Sequence, residues 1–154
     1  MKYVVVSDSH GLESELELLM LRHSDADGFI HCGDSELPAY KLTGFSAVTG
    51  NNDYIYNELP EQLVISMGNK KALIIHSHRQ SYVHRDHDLY KLALEHGCDY
   101  VFYGHSHAYA DTMVNHVRLM NPGSLFLSRD RRGKTYAIFE LHEDGEASFT
   151  LYNY

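Results

Sequence analysis

The sequence feature that most constrains the fold is a repeated order, in which a short apolar run is followed at once by a polar cluster. Five such clusters of Asp, Asn or His occur, at residues 8–10, 33–34, 50–53, 76–78 and 104–107. The runs before them are rich in β-branched and aromatic residues, which is typical of buried strands. Because ligands of open α/β sheets bind outside the carboxyl ends of strands, this order predicts one polar site at a shared edge.

The first part of the chain alternates between strand and helix patterns. An apolar, β-branched run predicts a strand at residues 2–7, and similar runs predict strands at 28–32 and 45–49. Apolar residues spaced three and four apart predict an amphipathic helix over 12–23. The strand–helix–strand order favours a parallel sheet with helices on its faces.

The second part predicts a hairpin, another helix and a second group of strands. Apolar runs at 62–67 and 71–76 flank the turn residues between them, which is typical of a hairpin. A helical pattern ends at Gly97, which we expect to close the second helix, and a strand is predicted at 99–103. Further antiparallel strands are predicted at roughly 111–114, 117–120, 135–141 and 147–152. The fold class is therefore α/β, with two mixed sheets packed together and helices outside.

Charge and composition narrow the setting in which such a chain would work. The 154 residues fit one domain spanning 1–154, and the net charge of −8 disfavours a binding track for long nucleic acid. No apolar run approaches the ~18 residues of a membrane span, and the N-terminal run is too short for a signal peptide. With only two cysteines, no disulfide framework is indicated. We expect a cytoplasmic protein without membrane attachment.

The polar clusters contain the residue types that bind transition metals. At a strand end, residues i and i+2 project to the same side, so Asp8 with His10, and His105 with His107, should aim at one point. Imidazole nitrogens together with carboxylate oxygens suit Mn, Fe, Zn, Co or Ni better than Ca. A glycine precedes several of these polar residues, and we expect it to let the backbone turn sharply. The residues that follow such a glycine are Asp34, Asn51 and His105.

The five clusters resemble, in order, the motifs of the calcineurin-like metallophosphoesterases, especially the small single-domain bacterial and archaeal phosphodiesterases of the YfcE type. That family shows Asp-x-His, Gly-Asp, Gly-Asn-x-Asp/Glu, an isolated His and Gly-His-x-His. Asn121-Pro122-Gly123-Ser124 is also similar to the loop after the site in that subfamily. The resemblance covers essentially the whole chain and implies an αββα sandwich of two sheets.

The resemblance implies a dinuclear metal centre in which Asp34 bridges the two ions. The implied ligands form two sets, one of Asp8, His10 and His107 and the other of Asn51, His76 and His105. The cofactors would be two divalent transition-metal ions per chain, with Mn expected first and Fe, Zn, Ni and Co as alternatives. Residue types alone leave the physiological ion open.

This centre predicts a metal-dependent phosphoesterase that acts on a small phosphate ester. Two ions of charge +2 against two carboxylates leave a cationic pocket in an acidic protein. A hydroxide between the ions would attack phosphorus in line while the ions stabilise charge on the phosphoryl oxygens. We expect phosphodiesters with good leaving groups as substrates, with phosphomonoesters as the alternative.

Two positions depart from the family pattern. Asn52 stands where many relatives carry a His that is thought to protonate the leaving group or contact phosphate. We therefore expect a preference for leaving groups of low pKa, or a proton from elsewhere, with His78 as one candidate donor. Ser77 stands where many relatives carry Gly. The predicted catalytic residues are Asp34, Asn51, Asn52, His76 and His78.

Several residues near the motifs have more than one interpretation. Asp53 either orients Asn51 or caps the following turn. Tyr82 is a candidate for the substrate mouth, and Asn121 for a neighbour of the site. The basic residues of 128–134 are typical of a solvated hairpin tip, with attraction of an anionic substrate as the alternative.

Two other functions stay open at this point. A protein-interaction scaffold like the retromer small subunit has this fold, but it predicts lost ligands, and none of the seven is lost here. A nuclease for short nucleic acid or cyclic nucleotides is the other alternative. The oligomeric state is also open, and a homodimer would cover sheet edges and exposed aromatic residues.

Overall fold

The computed structural model describes residues 1–154 and contains two five-stranded sheets packed against each other. The strands in chain order are β1 (Lys2–Val6), β2 (Gly28–His31), β3 (Phe45–Ala47), β4 (Gln62–Met67), β5 (Lys70–Ile75), β6 (Tyr100–Tyr103), β7 (Tyr109–Val114), β8 (Val117–Pro122), β9 (Thr135–Leu141) and β10 (Ala147–Asn153). The two α-helices are α1 (Glu13–Arg22) and α2 (Arg85–His96). The predicted fold class is confirmed.

Each sheet has three parallel strands, and their carboxyl ends place the polar clusters. The first sheet has the order β10-β9-β1-β2-β3, in which β1, β2 and β3 are parallel. The second has the order β4-β5-β6-β8-β7, in which β5, β6 and β8 are parallel. The five clusters follow β1, β2, β3, β5 and β6, so they lie at the ends of parallel strands, as ligand sites of such sheets do.

Strand β1 shows why the apolar runs are nearly continuous. Val5 faces the core between the two sheets, whereas Val4 and Val6 face the cluster that contains α1. All three side chains are fully buried, since both faces of the strand are covered. Phe102 of β6 and Phe139 of β9 meet in the inter-sheet core with ring centroids 5.2 Å apart.

The helices cover the outer faces of the two sheets, and a glycine ends the second helix. Leu16 and Leu19 of α1 pack on the first sheet, and Leu89 and Ala93 of α2 pack on the second. Gly97 closes α2 with a left-handed φ of 65°, so its predicted role is confirmed.

The structure differs from the prediction mainly at boundaries. Strand β3 ends at Ala47 rather than at residue 49, and β7 begins at Tyr109 rather than at residue 111. A 3₁₀ helix at Ala39–Leu42 was not predicted, because its four residues give only one buried apolar side chain, Leu42. No helix is both long enough and apolar enough to cross a bilayer.

Candidate metal centre

The loops after β1, β2, β3, β5 and β6 meet at one rim, where predicted ligands from both sheets come into contact. His107 Nε2 lies 3.0 Å from Asp8 Oδ1. His76 Nε2 lies 3.3 Å from Asp34 Oδ2 and 3.1 Å from Asn51 Oδ1. Residues that are far apart in the sequence therefore converge on a small volume.

Five of the seven predicted ligands have a left-handed backbone conformation. The φ values are 52° at Asp8, 43° at His10, 55° at Asp34, 72° at His105 and 54° at His107. We expected convergence from alternation along a strand, and that reason is wrong, because the strands end before these residues. Residues other than glycine rarely adopt this conformation, and clusters of it are characteristic of functional sites.

Two buried or half-buried histidines hold one ring nitrogen against the backbone and present the other to the cluster. His76 Nδ1 donates to the Cys32 carbonyl at 2.8 Å, and His107 Nδ1 donates to the Leu127 carbonyl at 3.0 Å. With the proton on Nδ1, Nε2 of a neutral imidazole keeps its lone pair for a metal ion. The carbonyl contacts therefore select the tautomer that a metal site needs.

His10 adds a third imidazole to the same side. Its Nδ1 lies 3.1 Å from Glu36 Oε1, and its Nε2 lies 3.4 Å from His107 Nε2. Potential ligand atoms lie within 4.8 Å of one another in two groups, which are Asp8, His10 and His107, and Asp8, Asp34 and His76. Asp8 belongs to both groups, whereas Asp34 belongs to one. Bridging by Asp34 therefore stays a prediction.

Asp8 is fully buried, yet one of its oxygens has no hydrogen-bond donor. Oδ2 accepts from Ser7 Oγ at 2.6 Å and from the His105 N–H at 3.1 Å. Oδ1 faces His107 Nε2 at 3.0 Å, outside hydrogen-bond geometry, and His76 Nε2 at 3.9 Å. Burial opposes the charge of Asp8, but His107, His76 and Ser7 outweigh it and lower its pKa. A buried carboxylate oxygen without a donor fits a bound cation.

Asn52 contacts Asp34 through both its backbone and its side chain. Its N–H donates to Asp34 Oδ1 at 2.8 Å, and its Nδ2 donates to Asp34 Oδ2 at 2.7 Å. Burial would raise the pKa of Asp34, but His76 and Asn52 hold it well below its usual range. The structure thus places Asn52, predicted as a catalytic residue, as a donor that orients the carboxylate.

Asp53 joins the loops that follow β2 and β3. Its carboxylate accepts from the N–H groups of Asp34 at 2.9 Å, Glu36 at 2.7 Å and Gly50 at 2.6 Å. Neither predicted role, orienting Asn51 or capping the next turn, describes these bonds. Asp53 instead fixes the backbone on both sides of Asp34.

Two glycines of the motifs are needed for close approach rather than for a sharp turn. A Cβ at Gly50 would collide with Asp34 Oδ1, and one at Gly104 would collide with Ser7 Oγ. Neither glycine has a positive φ, whereas Gly33, the glycine before Asp34, has a φ of 97°. Gly104 lets the loop after β6 approach the loop after β1 across the two sheets, and Gly50 lets the loops after β3 and β2 approach each other within the first sheet.

The sequence comparison decides the family of this chain. The model of the calcineurin-like phosphoesterase superfamily domain matches residues 1–144. This chain belongs to that superfamily. The resemblance inferred from the five motifs is confirmed.

Two individual proteins agree with the assignment, and a third shares the fold. The chain is 38% identical over 149 residues to the probable metallophosphoesterase YsnB of Bacillus subtilis, covering 94% of this chain and 86% of that protein. A crystal structure of a conserved uncharacterized protein of Streptococcus pneumoniae, a predicted phosphoesterase, is 28% identical, with TM-score 0.86 and coverage of 98% and 97%. Vps29 of Chaetomium thermophilum is 14% identical, with TM-score 0.75 and coverage of 99% and 94%, a likeness of fold alone.

The cluster after β5 contains Ser77, at the position where the motif resemblance led us to expect glycine. This residue has a φ of 78°, a conformation that glycine adopts without strain. Its Oγ donates to the Gly104 carbonyl at 3.2 Å, which ties the loop after β5 to the loop after β6. The backbone keeps the glycine-like geometry despite the side chain.

His78 and His105 stand beside His76. Their ring centroids lie 5.5 Å and 5.1 Å from that of His76. His105 belongs to neither compact group of ligand atoms, so its role as a ligand stays a prediction. His78 Nδ1 is buried without a hydrogen-bond partner, and this histidine stays a candidate substrate contact.

The structure places Asn121 and Tyr82 in different roles. The Asn121 side chain is buried and donates to the Gly104 carbonyl at 3.2 Å and Ser106 Oγ at 3.0 Å. Its amide group therefore fixes the loop after β6. The Tyr82 side chain is 84% exposed and lines a cleft beside His105, and its contact with substrate stays a prediction.

Two serines that support Asp8 were not identified from the sequence. Ser7 Oγ donates to the Asp8 carboxylate, and Ser124 Oγ donates to the Asp8 carbonyl at 2.9 Å. Ser7 directly precedes the first motif and Ser124 lies in the Asn-Pro-Gly-Ser loop, but serine in such positions is common. No residue-type signal distinguishes these from surface serines.

Proposed function

We propose that this chain hydrolyses phosphate esters with two divalent metal ions bound at the rim. The observation that carries the proposal is the orphaned Asp8 Oδ1, which faces the Nε2 atoms of His107 and His76 in a buried site. Without a cation there, this buried carboxylate oxygen would have no donor in hydrogen-bond geometry.

The residues present match the donors that such ions prefer. Imidazole nitrogens, carboxylates and one amide oxygen suit Mn, Fe, Zn, Co and Ni, and Mn is the ion we propose first. The ions would supply positive charge for the phosphoryl oxygens and a water nucleophile of lowered pKa. Asp34 would bridge the ions, with Asn52 holding its two oxygens in place.

Substrates with leaving groups of low pKa follow from the environment of Asn52. Its side chain has no acidic proton to give, and its Nδ2–H is already donated to Asp34. The remaining imidazole beside the cluster is His78, whose Nδ1 has no partner. We propose that His78 contacts the leaving oxygen and that small phosphodiesters with acidic leaving groups are preferred.

The test begins with metal content and metal-dependent turnover. The purified protein should contain transition metal and should hydrolyse bis(p-nitrophenyl) phosphate when Mn²⁺ is supplied, with loss of activity on chelation. Asp34→Asn should lower kcat by roughly 100-fold, because a ligand and its charge are lost. Asp25→Asn is the matched control, since Asp25 is an exposed carboxylate paired with Lys2. Absence of turnover with all five metals would contradict the proposal.

A second arm separates hydrolysis from the other two functions. If the chain were an interaction scaffold, Asp34→Asn would leave its cellular phenotype intact although the metal site is damaged. If it were a nuclease, labelled oligonucleotides would be cut at least as fast as the small diester. The net charge of −8 leads us to expect slow or no cutting of long polymers.

A further inference from the structure

The cleft beside His105 adjoins the candidate metal centre. This cleft, of about 380 Å³, is lined by Tyr82, Arg85, His105, Ser106, Ala108 and Arg129. Its wall therefore includes one proposed metal ligand and two arginines, but no carboxylate. A phosphate ester held at the centre would extend directly into it.

Neither arginine of this cleft pairs with a carboxylate, a property shared with Arg22 and Arg131 outside the cleft. Arg79, Arg118 and Arg132 each pair with a carboxylate. No carboxylate oxygen lies within ion-pair distance of Arg85 or Arg129. Two unneutralised guanidinium groups in one cleft of an acidic protein favour an anionic ligand.

Arg85 is held in the cleft rather than free in solvent. It is half-buried at the start of α2, and its Nε is buried without a hydrogen-bond partner. Its guanidinium carbon lies 5.5 Å from the centroid of the Tyr82 ring. A buried donor that makes no hydrogen bond is costly, and a bound anion would satisfy it.

Arg129 is joined through its backbone to a residue of the candidate metal centre. Its backbone N–H donates to the His107 carbonyl at 2.8 Å. Of the basic residues at 128–134, Arg132 pairs with Asp130 and Lys134 pairs with Glu15, whereas Arg129 lines the cleft. Two of these residues are therefore paired, as a solvated tip predicts, and attraction of an anionic substrate by Arg129 stays a prediction.

Arg129 also lines another depression, which includes two of the proposed metal ligands. It is lined by His10, Glu36, His107, Phe126, Leu127 and Arg129. The exposed Phe126 and Leu127 and the carboxylate of Glu36 favour an apolar or neutral group there. We therefore expect an anion to bind in the cleft that contains Arg85 rather than in this depression.

We propose that the Arg85–Arg129 cleft binds a second phosphate group of the substrate, so that preferred esters carry two phosphates. The inference rests on the proposed function, which places the first phosphate at the metal centre. Guanidinium groups donate paired hydrogen bonds to phosphate oxygens, and two of them match a dianion. The exposed ring of Tyr82 gives the group between the phosphates a flat surface on which to pack.

The kinetic test uses two substrates with the same leaving group. Thymidine 5′-(p-nitrophenyl phosphate) carries one phosphate, and its 3′-phosphorylated form carries two. Because both release p-nitrophenolate, a difference in kcat/KM reports binding of the second phosphate. We expect the Mn²⁺-loaded protein to prefer the second compound by about tenfold or more, as charge-assisted hydrogen bonds predict.

The variants assign that preference to the cleft. Arg85→Gln and Arg129→Gln should each lower the ratio of the two kcat/KM values by about tenfold, mainly through KM. Lys91→Gln is the matched control, because Lys91 is an exposed, unpaired cation on α2 outside the cleft. An unchanged ratio in both arginine variants, or an equal drop in Lys91→Gln, would overturn the proposal.

A binding measurement separates this inference from the proposed function. Thymidine 3′,5′-bisphosphate is titrated into the protein without added metal by calorimetry. If neither p-nitrophenyl ester is hydrolysed with any metal, the proposed function fails, but the cleft still predicts binding that weakens by about tenfold in each arginine variant. Binding that is equal in the wild type and both variants contradicts the cleft regardless of activity.

Discussion

The side-chain amide of Asn52 donates to Asp34 Oδ2 at 2.7 Å while the backbone N–H of the same residue donates to Asp34 Oδ1 at 2.8 Å. One asparagine thus holds both oxygens of the carboxylate that is proposed to bridge two metal ions. Asn52→Ala removes the side-chain bond but keeps the backbone bond. We expect metal affinity and kcat to fall by roughly 10–100-fold, the usual effect of losing a partner of a metal ligand. Titration with metal in a calorimeter measures the affinity, and a turnover assay measures kcat. The thermal midpoint of unfolding is the control for folding.

A substitution to histidine at the same position tests the source of the leaving-group proton. Asn52→His introduces an acid at the position where the motif resemblance implies one. Because a general acid helps most when the leaving oxygen is basic, the variant should gain on alkyl esters relative to p-nitrophenyl esters. A series of diesters with leaving groups of graded pKa gives the slope of log kcat/KM against pKa. We expect a shallower slope in the variant, and an identical slope would argue against this role for the position.

Substitutions at Ser77 measure how much its left-handed backbone conformation costs in free energy of unfolding. Its φ is 78°, and its Oγ donates to the Gly104 carbonyl. Ser77→Ala loses the hydrogen bond and keeps the Cβ, whereas Ser77→Gly loses the bond and also relieves the backbone. We expect the glycine variant to be more stable than the alanine variant by roughly 1 kcal/mol. Urea unfolding of both proteins without metal checks the order, and the reverse order would contradict the strain.

At the other end of the second sheet, Asp99 predicts a pH dependence of stability. Asp99 Oδ1 lies 2.9 Å from Lys70 Nζ, and Oδ2 accepts from the Lys71 N–H at 3.1 Å. Burial raises the pKa of Asp99, but Lys70 and Lys71 outweigh it and lower the pKa below its usual value. A lowered pKa in the folded state means that the contribution is present above the unfolded value of about 3.9 and is lost as the pH falls through the folded value.

Asp99→Asn isolates this contribution. At pH 7 we expect the variant to be less stable by on the order of 1 kcal/mol or less, since the pair is partly exposed and screened by solvent. The difference should shrink as the pH falls below about 4, where the carboxyl of the unfolded state becomes protonated, and should be lost below the lower pKa of the folded state. Urea midpoints of the two proteins from pH 7 down to acid conditions measure this, and a difference that grows toward low pH would contradict the sign.

The sequence predicted the parts of this molecule that rest on local pattern. Buried strands read as continuous apolar runs because both of their faces are covered, as for Val4 and Val5 of β1. The polar residues after these strands were correctly expected to meet, since the carboxyl ends of parallel strands share a rim. The end of α2 was predictable because Gly97 tolerates the left-handed conformation that closes a helix.

The parts that the sequence did not predict depend on contacts between distant loops. Asp53 fixes the backbone around Asp34, and Asn121 fixes the loop after β6, yet both have residue types that suit many turns. The left-handed conformations at Asp8 and His105 also have no sequence pattern, because tertiary contacts impose them. The cleft at Arg85 and Arg129 joins two segments whose proximity only the fold reveals.

The buried carboxylate of Asp8 leads to a prediction that needs no substrate. If a cation occupies the space before Asp8 Oδ1, binding to the folded state alone should raise stability by mass action. At a Mn²⁺ concentration about 100 times the dissociation constant, the gain is about 2.7 kcal/mol, or a rise in Tm of roughly 5–10 °C. Differential scanning fluorimetry with and without Mn²⁺, in chelator-stripped protein, measures this shift.

Asp8→Asn shows whether that shift comes from the proposed centre. Asparagine keeps an oxygen that can accept from Ser7 and from the His105 N–H, so the metal-free protein should unfold at nearly the same temperature. The loss of charge should remove most of the Mn²⁺-induced rise, because a neutral amide is a much weaker ligand than a carboxylate. Asp25→Asn should keep the full rise, since Asp25 pairs with Lys2 away from the rim. An Mn²⁺-induced rise in Tm of equal size in both variants would mean that the cation binds elsewhere. It would contradict the proposal that Asp8 and the histidines around it form the metal site.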